Sequence, residues 1–244
     1  MDFEKKVAIV TGGAQGIGKS YCSLLLKMGM KVCICDIKET PNELISDLQK
    51  IYKDDVIYQK CDVSSFSDFK NAFERTKQLF GRIDVVVNNA GIVNELEWKK
   101  MIEVNLIGVI HGIQLGFQYM STENRNDGGF IINTISNTGV EPFPLAPVYS
   151  GTKHAVVGLT RSYGADYHFN KTGVKVCGIA PGPVDTDLTR NFHLRCLDER
   201  EGKELVASVT TVTPDDIAKG LLKLLKDDKN GIVLRVDSSG MYLA

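Results

Sequence analysis

Three polar side chains near the middle of the chain have the types and the spacing of proton-transfer groups. Tyr149 and Lys153 stand four residues apart, and Ser136 lies thirteen residues before the tyrosine. Residues four apart project from one face of a helix, where a lysine ammonium would lower the phenol pKa from its ordinary value of about 10. Tyr149 is therefore a candidate general acid or base, and Ser136 a candidate partner for the substrate oxygen. An exposed helix pair is the alternative if these residues are considered alone.

A glycine-rich turn near the start of the chain predicts a phosphate site. Gly12, Gly16 and Gly18 follow the first apolar run, with Gln15 and Ile17 between them. Glycine permits a sharp turn and lets the backbone approach a pyrophosphate, which the N-terminus of the following helix attracts. A tight strand-to-helix connection without a ligand is the alternative for this turn alone. Together with the tyrosine and the lysine, the turn predicts hydride transfer with a dinucleotide.

An acid at the end of the second apolar run indicates which dinucleotide. Asp36 stands eighteen residues beyond Gly18, close to where a carboxylate meets the adenosine ribose hydroxyls. A carboxylate about 4 Å from a 2′-phosphate would meet about 4 kcal/mol of repulsion at an effective dielectric constant near 20. NAD is therefore the expected cofactor rather than NADP. Lys19 and Lys38 are nearby cations that would soften this preference.

Two further stretches follow strands that end at the same edge of the predicted sheet. Asp62 and Val63 come after the third strand, where the carboxylate would either accept from the adenine amino group or cap the next helix. Asn89, Ala90 and Gly91 come after the fourth strand, and the small residues leave room for a cofactor. We therefore expect these residues in the cofactor site.

Short β-rich runs alternate with helical stretches along the chain. This alternation predicts the α/β class: a single domain over residues 1–244, built as a doubly wound (Rossmann) parallel seven-stranded sheet with helices on both faces. The predicted strands are Val7–Val10, Lys31–Asp36, Val56–Cys61, Ile83–Asn88, Gly129–Thr134, Val174–Ala180 and Ile232–Val236. Helices are predicted from Gly16 and from about Pro41, Phe66, Glu97, Pro147 and Pro214.

The segment 186–211 differs from the rest because it is polar, charged and without clean periodicity. It follows the carboxyl end of a strand, which is where ligands bind in open α/β sheets. We expect a substrate lid here, with a variable surface loop as the alternative.

Composition limits the partners that the chain can have. The net charge of −1, with both signs interspersed, gives no electrostatic footprint for nucleic acid or an anionic membrane. The six cysteines lack a Cys-x-x-Cys motif and the four histidines lack ligand-like spacing, so we expect no metal site and a reduced setting. The start of the sequence has no apolar signal region, and no run reaches the length of a membrane span. The expected location is cytoplasmic, without membrane insertion.

Taken together, these motifs resemble the short-chain dehydrogenase/reductase family over essentially the whole chain. The matching stretches are Thr11–Gly18, Asn88–Gly91, Glu103–Leu106, Ser136, Tyr149–Lys153 and Pro181–Thr186. The resemblance implies that Asn105 holds a water joining Lys153 to solvent as a proton relay, while Lys153 also bridges the nicotinamide ribose hydroxyls. It places four residues near the nicotinamide, of which the last two contact its carboxamide: Pro181, Gly182, Val184 and Thr186.

Within the family the sequence resembles NAD-dependent 15-hydroxyprostaglandin dehydrogenases and insect alcohol-dehydrogenase-like proteins. The prostaglandin enzymes carry a glutamine three residues before the tyrosine that helps bind the substrate hydroxyl, and this chain has Ala146 there. The first serine of the usual pair is Ile135, which leaves Ser136 as the serine of the site. We therefore expect a more apolar substrate pocket, with Ser136, Ala146 and Tyr149 against the substrate.

The sequence thus predicts an NAD-dependent oxidoreductase that transfers hydride between NAD and a lipophilic secondary alcohol: a steroid, terpenoid, prostanoid or fatty-acid derivative. A catalytically silent dinucleotide-binding regulator or scaffold is one alternative. A nucleotide-sugar epimerase or dehydratase is another, disfavoured by the short chain and the glycine spacing. The resemblance also implies a homodimer or homotetramer. The apolar residues Ala155, Val156, Leu159 and Phe169 fit either such an interface or core packing.

Overall fold

A computed structural model describes residues 3–39 and 43–244. Its strands pair in both parallel and antiparallel directions. The strands are β1 (Val7–Thr11), β2 (Lys31–Asp36), β3 (Val56–Lys60), β4 (Val85–Asn88), β5 (Gly129–Thr134), β6 (Val174–Pro181), β7 (Val233–Asp237) and β8 (Gly240–Leu243). Within the described ranges they form one sheet in the order β3-β2-β1-β4-β5-β6-β7-β8. The first seven strands are parallel.

The eighth strand corrects the predicted count of seven. β8 pairs with β7 in the antiparallel direction, through a turn between Asp237 and Gly240. It is four residues long and lies at the sheet edge, where Tyr242 and Leu243 stay exposed. β8 is shorter than most of the buried strands and half-exposed, so the pattern used for the buried strands did not indicate it.

Helices cover both faces of the sheet. The helices are α1 (Gly16–Lys27), α2 (Glu43–Tyr52), α3 (Phe66–Phe80), α4 (Trp98–Ile102), α5 (Gly108–Met120), α6 (Pro147–Tyr163), α7 (Asp166–Thr172), α8 (Asp187–Arg190), α9 (Glu199–Ser208) and α10 (Pro214–Lys226). A π-helical turn, Glu103–Ile107, joins α4 to α5. No helix within the described part of the chain is long and apolar enough to cross a membrane.

Alternate residues of each strand pack into two apolar layers, one on each face. Val10 of β1 packs with Leu25 of α1 and Leu221 of α10 in one layer. The adjacent Ile9 packs with Phe73 of α3 and Ile113 of α5 in the other. Successive side chains of a strand point to opposite faces, and both faces are covered, so β1 and β4 are buried at every position.

The predicted helix starts at Phe66 and Pro214 are present in the structure. The Ser65 hydroxyl accepts from the Asp68 backbone N–H at 3.3 Å and so caps α3, which ends at Gly81 with φ +81°. Thr213 and Asp216 cap α10 reciprocally. Side-chain caps of this kind satisfy amides that the first helical turn leaves unpaired.

Other predicted boundaries differ from the structure. The predicted start of the second helix at Pro41 lies outside the described residues, and α4 begins at Trp98 after a 3-10 turn over Glu95–Glu97. The segment 186–211 contains α8, a 3-10 turn (Phe192–Leu194) and α9. Its helices are short and charged, so their apolar periodicity was too weak to indicate them. Val156 of α6, which fitted either an oligomer interface or core packing, is fully buried in the core. Core packing therefore explains this residue.

The direction of strand succession reverses between β1 and β4. The chain runs outward from β1 through β2 to β3, returns to β4 on the other side of β1, and continues to β8. The connections leaving β1 and β4 therefore diverge and open a crevice at the carboxyl ends of the strands, where ligands bind in folds of this kind.

Candidate active site

One large cleft, of about 960 Å³, lies over the carboxyl ends of the strands. Its volume is at the upper end of the range of about 300 to 1,000 Å³ found for ligand pockets. Most of the sequence-predicted site residues line it: Gly12, Gln15, Gly16, Ile17, Asp36, Asp62, Val63, Asn89, Ala90, Gly91, Ser136, Tyr149, Lys153, Pro181, Gly182, Val184 and Thr186. Gly18, Asn105 and Ala146 lie behind this lining.

The glycines of the turn after β1 stand where a side chain would be strained or would clash. Gly12 and Gly16 have φ values of +62° and +52°, in the left-handed region that favours glycine. A Cβ atom at Gly18 would lie 2.2 Å from the Gly12 carbonyl oxygen. At Gly16 a Cβ atom would lie 3.3 Å from Cγ2 of Thr186, so the start of α1 lies against the segment that follows β6.

Asp36 holds its carboxylate at the edge of the cleft through backbone amides. Oδ2 accepts from the Ala14 N–H at 3.0 Å, and Oδ1 accepts from the Lys38 N–H at 3.3 Å. The Lys38 ammonium donates to Oε1 of Gln15 at 2.8 Å, beside the glycine turn. An acid and a cation thus lie together where the sequence predicted the ribose site.

Asp62 is a cleft residue and not the cap of α3. Its Oδ1 accepts from both the backbone N–H and the hydroxyl of Ser64, at 2.9 and 2.6 Å. Ser65 supplies the cap of α3. The helix-cap alternative for Asp62 is therefore wrong, and its role toward adenine stays a prediction.

Thr11 and Asn89 join the ends of neighbouring strands beneath the cleft. The Thr11 hydroxyl oxygen accepts from the backbone N–H groups of Asn89 and Ala90 at 2.9 and 3.0 Å. The Asn89 amide donates to the Thr11 carbonyl at 2.9 Å, and its Oδ1 accepts from the Thr134 hydroxyl at 3.3 Å. These bonds fix the ends of β1, β4 and β5 relative to one another. Sequence reasoning included Thr11 in the glycine motif but assigned it no role, because a single threonine at a strand end carries no distinctive spacing.

The predicted proton-transfer residues lie together on the opposite side of the cleft. Tyr149 and Lys153 occupy the first two turns of α6, with Nζ 5.7 Å from the centroid of the phenol ring. Lys153 Nζ donates to the Thr134 carbonyl at 3.0 Å, which holds it over the end of β5. Ser136 begins the turn Asn137–Gly139, where its hydroxyl oxygen accepts from the Thr138 N–H at 3.3 Å.

Burial disfavours the charged forms of both Tyr149 and Lys153. It raises the pKa of Tyr149 to about 12, and a hydrogen bond with Ser136 acts in the opposite direction. It lowers the pKa of Lys153 to about 8. The side chains of the protein alone therefore do not lower the phenol pKa, because desolvation outweighs the Ser136 hydrogen bond. The lowering expected from the lysine together with the positive ring of an oxidised nicotinamide stays a prediction.

Asn105 is fully buried in the π-helical turn between α4 and α5. Its Nδ2 donates to the Ile92 carbonyl at 2.8 Å, and its Oδ1 accepts from the Ile92 N–H at 2.9 Å. A Cβ atom at Gly91 would lie 3.4 Å from Asn105 Oδ1 and 3.6 Å from Lys153 Nζ, so both side chains border that glycine. The side chain of Asn105 thus fixes the loop after β4 beside Lys153. Its part in a water relay stays a prediction.

Apolar side chains surround Tyr149 on the side away from the glycine turn. Tyr149 belongs to a buried cluster with Val93, Ala146 and Phe192, against which Phe143 packs. The Phe143 and Phe192 rings lie 5.3 Å apart, centroid to centroid. Leu205 and Val206 of α9 line the same part of the cleft. Sequence reasoning did not find this wall, because its members come from three distant segments.

The described residues contain no group of three or more His, Cys, Asp or Glu side chains placed to hold a metal ion. The six cysteines are unpaired and buried, as core residues.

Comparison with known proteins identifies the family. Residues 6–196 match the family described as short chain dehydrogenase. The 15-hydroxyprostaglandin dehydrogenase (NAD(+)) of Mus musculus is 35% identical over 251 residues, which cover 98% of this chain and 92% of the mouse protein. The development-specific 25 kDa protein of the insect Sarcophaga peregrina is 26% identical over 247 residues, covering 99% of this chain and 96% of the insect protein. The chain belongs to the short-chain dehydrogenase/reductase family, which confirms the resemblance seen in its motifs.

A solved structure confirms the predicted fold class. A short chain dehydrogenase/reductase from Burkholderia phymatum, crystallised in complex with NAD, superposes with a TM-score of 0.79 at 24% identity. The match covers 91% of this chain and 86% of that chain. At this identity the likeness shows the shared Rossmann-type fold.

Proposed function

We propose that this chain is an NAD-dependent oxidoreductase that transfers hydride between NAD and a lipophilic secondary alcohol or its ketone. The observation that carries the proposal is that Asp36 and Tyr149 line one cleft, with a glycine turn beside the acid and an apolar wall beside the phenol. Membership of the family supports the reaction class. The similarity to the mouse 15-hydroxyprostaglandin dehydrogenase (NAD(+)) supports both NAD and a secondary alcohol.

The residues on the cofactor side fit a dinucleotide. Gly12, Gly16 and Gly18 leave the backbone bare where side chains would clash or be strained, and α1 begins at Gly16. Backbone amides and the dipole at a helix N-terminus attract phosphate. The Asp36 carboxylate would accept from the ribose hydroxyls, and it would repel the 2′-phosphate of NADP.

Side chains of the protein would transfer the proton that the reaction releases. Bound NAD supplies the hydride acceptor and, in its oxidised form, a positive ring in the cleft. A positive charge there lowers the phenol pKa from the raised value that burial gives it. Ser136 and Tyr149 would hold the alcohol oxygen, and Tyr149 would take the hydroxyl proton as general base. Lys153 and the Asn105 segment would then pass that proton toward solvent.

The walls around the phenol favour a lipophilic substrate. Val93, Phe143 and Phe192 present apolar surface next to Tyr149, and Ala146 adds a methyl group to the same cluster. Burying the carbon skeleton of a steroid, terpenoid, prostanoid or fatty-acid derivative against them contributes about 25 cal/mol per Å² of apolar area. Helices α8 and α9 of segment 186–211 would form the substrate lid, because Leu188, Leu205 and Val206 face this wall.

A coupled assay with one point mutant tests the proposal. Secondary alcohols including sterols, prostanoids and terpenols are supplied with NAD, and NADH is followed by absorbance. We expect turnover with apolar members of the panel, and Tyr149→Phe to keep no more than a few per cent of it, a loss of about 10² to 10⁴. NADH binding by the mutant should stay normal. Binding of NADH by the wild type without turnover of any alcohol or ketone would instead indicate a catalytically silent regulator or scaffold.

A further inference from the structure

The helix that carries Tyr149 is capped by a residue from another part of the chain. The first amides of a helix have no partner within it, and a Ser, Thr, Asp or Asn at the N-cap usually accepts from one of them. The N-cap of α6 is Ala146, which makes no such bond. The backbone N–H groups of Val148 and Tyr149 donate instead to Oε2 and Oε1 of Glu95, at 3.2 and 2.8 Å.

Glu95 is a buried carboxylate whose charge faces the positive end of α6. Only 6% of the residue is exposed. A buried carboxylate is costly unless hydrogen bonds and opposite charge offset its desolvation. The two N–H groups and the positive end of the α6 dipole provide both, and hydrogen bonds to a charged acceptor are about twice as strong as neutral ones.

The same residue is bonded to the proposed lid. The Glu95 backbone N–H donates to the Arg195 carbonyl at 2.9 Å. Two residues further along the lid, the Leu197 N–H donates to the carbonyl of Leu145, which directly precedes the N-cap. Residues 195–197 are thus hydrogen-bonded both to the residue that caps α6 and to the chain entering α6.

This arrangement also explains how the wall beside the phenol stays apolar. An N-cap serine or aspartate at position 146 would place a polar group in the buried cluster that contains Tyr149. With the cap supplied by Glu95, the N-cap position is free to be an alanine. The helix cap and the apolar wall are therefore supplied by two different segments of the chain.

We propose that Glu95 is a positioning residue, which fixes the first turn of α6, and with it the Tyr149 phenol, to lid residues 195–197. The inference rests on the proposed role of Tyr149 in proton transfer. A first turn that is uncapped frays, and a misplacement of about 1 Å costs up to about 10² in rate. The lid and the proton-transfer group would move as one unit.

A graded series of variants tests the positioning role. Glu95→Gln keeps the size but turns an amide NH2 toward the N–H donors, and Glu95→Ala removes both acceptors. Glu97, an exposed acid two residues away, supplies the matched controls Glu97→Gln and Glu97→Ala. With the fastest alcohol of the panel, we expect kcat to fall about 10- to 100-fold in Glu95→Ala and less in Glu95→Gln. The Kd for NADH and the KM of the alcohol should stay within about twofold.

Hydrogen exchange gives a readout that does not depend on turnover. Peptides covering 143–150 and 192–198 should both exchange faster in Glu95→Ala than in Glu97→Ala, because one residue bonds to both. Equal kcat and equal exchange in the two alanine variants would overturn the proposal. So would a joint loss of kcat, NADH binding and thermal stability, which a general structural role predicts. An inactive wild type refutes the proposed function, whereas an active wild type with active Glu95 variants refutes only this inference.

Discussion

The two ends of the cleft are built in different ways. At the cofactor end, the glycine turn, Asp36 and Asn89 lie at the carboxyl ends of the neighbouring strands β1, β2 and β4 and are fixed by hydrogen bonds between side chains and backbone. At the substrate end, Phe143 and Phe192 come from segments far apart in the chain, and the backbone of segment 195–197 is bonded to the backbone of Glu95 and Leu145. The first end is specified by the ends of adjacent strands, and the second by side chains and loops from distant segments.

This difference predicts which property each end controls. A change at the cofactor end should alter dinucleotide affinity or the choice of dinucleotide, because backbone shape and one carboxylate decide both. A change at the substrate end should alter alcohol binding or proton transfer and leave dinucleotide affinity unchanged.

The largest expected effect is at the glycine turn. In Gly18→Ala the new Cβ would lie 2.2 Å from a backbone oxygen, so the turn must shift, at a cost of about 1 to 3 kcal/mol. We expect NADH affinity, measured by fluorescence titration, to fall about 10- to 100-fold. Gly81→Ala is the control, because φ is +81° there and nothing lies within 4 Å. It should lose stability without losing NADH affinity, and a similar affinity loss in both variants would contradict the local explanation.

The pH dependence of kcat/KM should come from the substrate end of the cleft. Tyr149 must be deprotonated to act as a base, and burial raises its pKa to about 12. In kcat/KM for alcohol oxidation we expect a rise of up to about tenfold per pH unit below the effective pKa, and for ketone reduction a fall as pH rises. The Kd for NADH should stay flat below a pH of about 8, where Lys153 keeps its charge. A flat oxidation profile would argue against a phenol base.

The choice of cofactor should depend on Asp36. Asp36→Ala removes the carboxylate that would repel a 2′-phosphate, and Lys38 remains beside the site. We expect the ratio of kcat/KM for NAD to that for NADP to fall by about tenfold or more, compared in the same assay. Asp47→Ala changes the net charge equally at an exposed site on α2 and should leave the ratio unchanged. An unchanged ratio in Asp36→Ala would remove the carboxylate from cofactor selection.

The smallest expected effect is on the apolar wall. Phe143→Ala removes the ring that packs against Phe192, and aromatic pairs are worth about 0.5 to 1.5 kcal/mol beyond their buried area. We expect the KM of an apolar alcohol to rise several-fold, with NADH affinity unchanged. Phe66→Ala, at a half-exposed position on α3, is the control. A Phe143→Ala variant that lost NADH affinity instead would show that the two ends are not separate.

The two ends also differ in how far the sequence could predict them. Short-range rules predicted the residues of three motifs. A bend indicates the glycines, a strand end indicates Asp36, and the spacing of one helical turn indicates Tyr149 and Lys153. Their place at one edge of the sheet followed from the parallel arrangement of the predicted strands. The alternation of buried runs likewise predicted the parallel part of the sheet.

What could not be predicted depends on contacts between distant residues. Glu95 and Tyr149 are 54 positions apart, and nothing in the local sequence of either indicates a helix cap supplied across that distance. The raised phenol pKa of the protein alone was not predicted, because the neighbouring lysine was visible in the sequence and the extent of burial was not. The helices of segment 186–211 were missed because their apolar residues face a cleft that forms only in the folded chain.

The most direct test of the account is to follow the hydrogen on the carbinol carbon. The fastest alcohol of the panel, deuterated at that carbon, is oxidised with NAD by the wild type and by Tyr149→Phe, and the reduced cofactor is analysed by mass spectrometry. We predict one deuterium per reduced nicotinamide and slower turnover than with the unlabelled alcohol. The mutant should form little labelled product while binding NADH normally. Reduced cofactor without deuterium, or a mutant that forms it at the wild-type rate, would contradict the account.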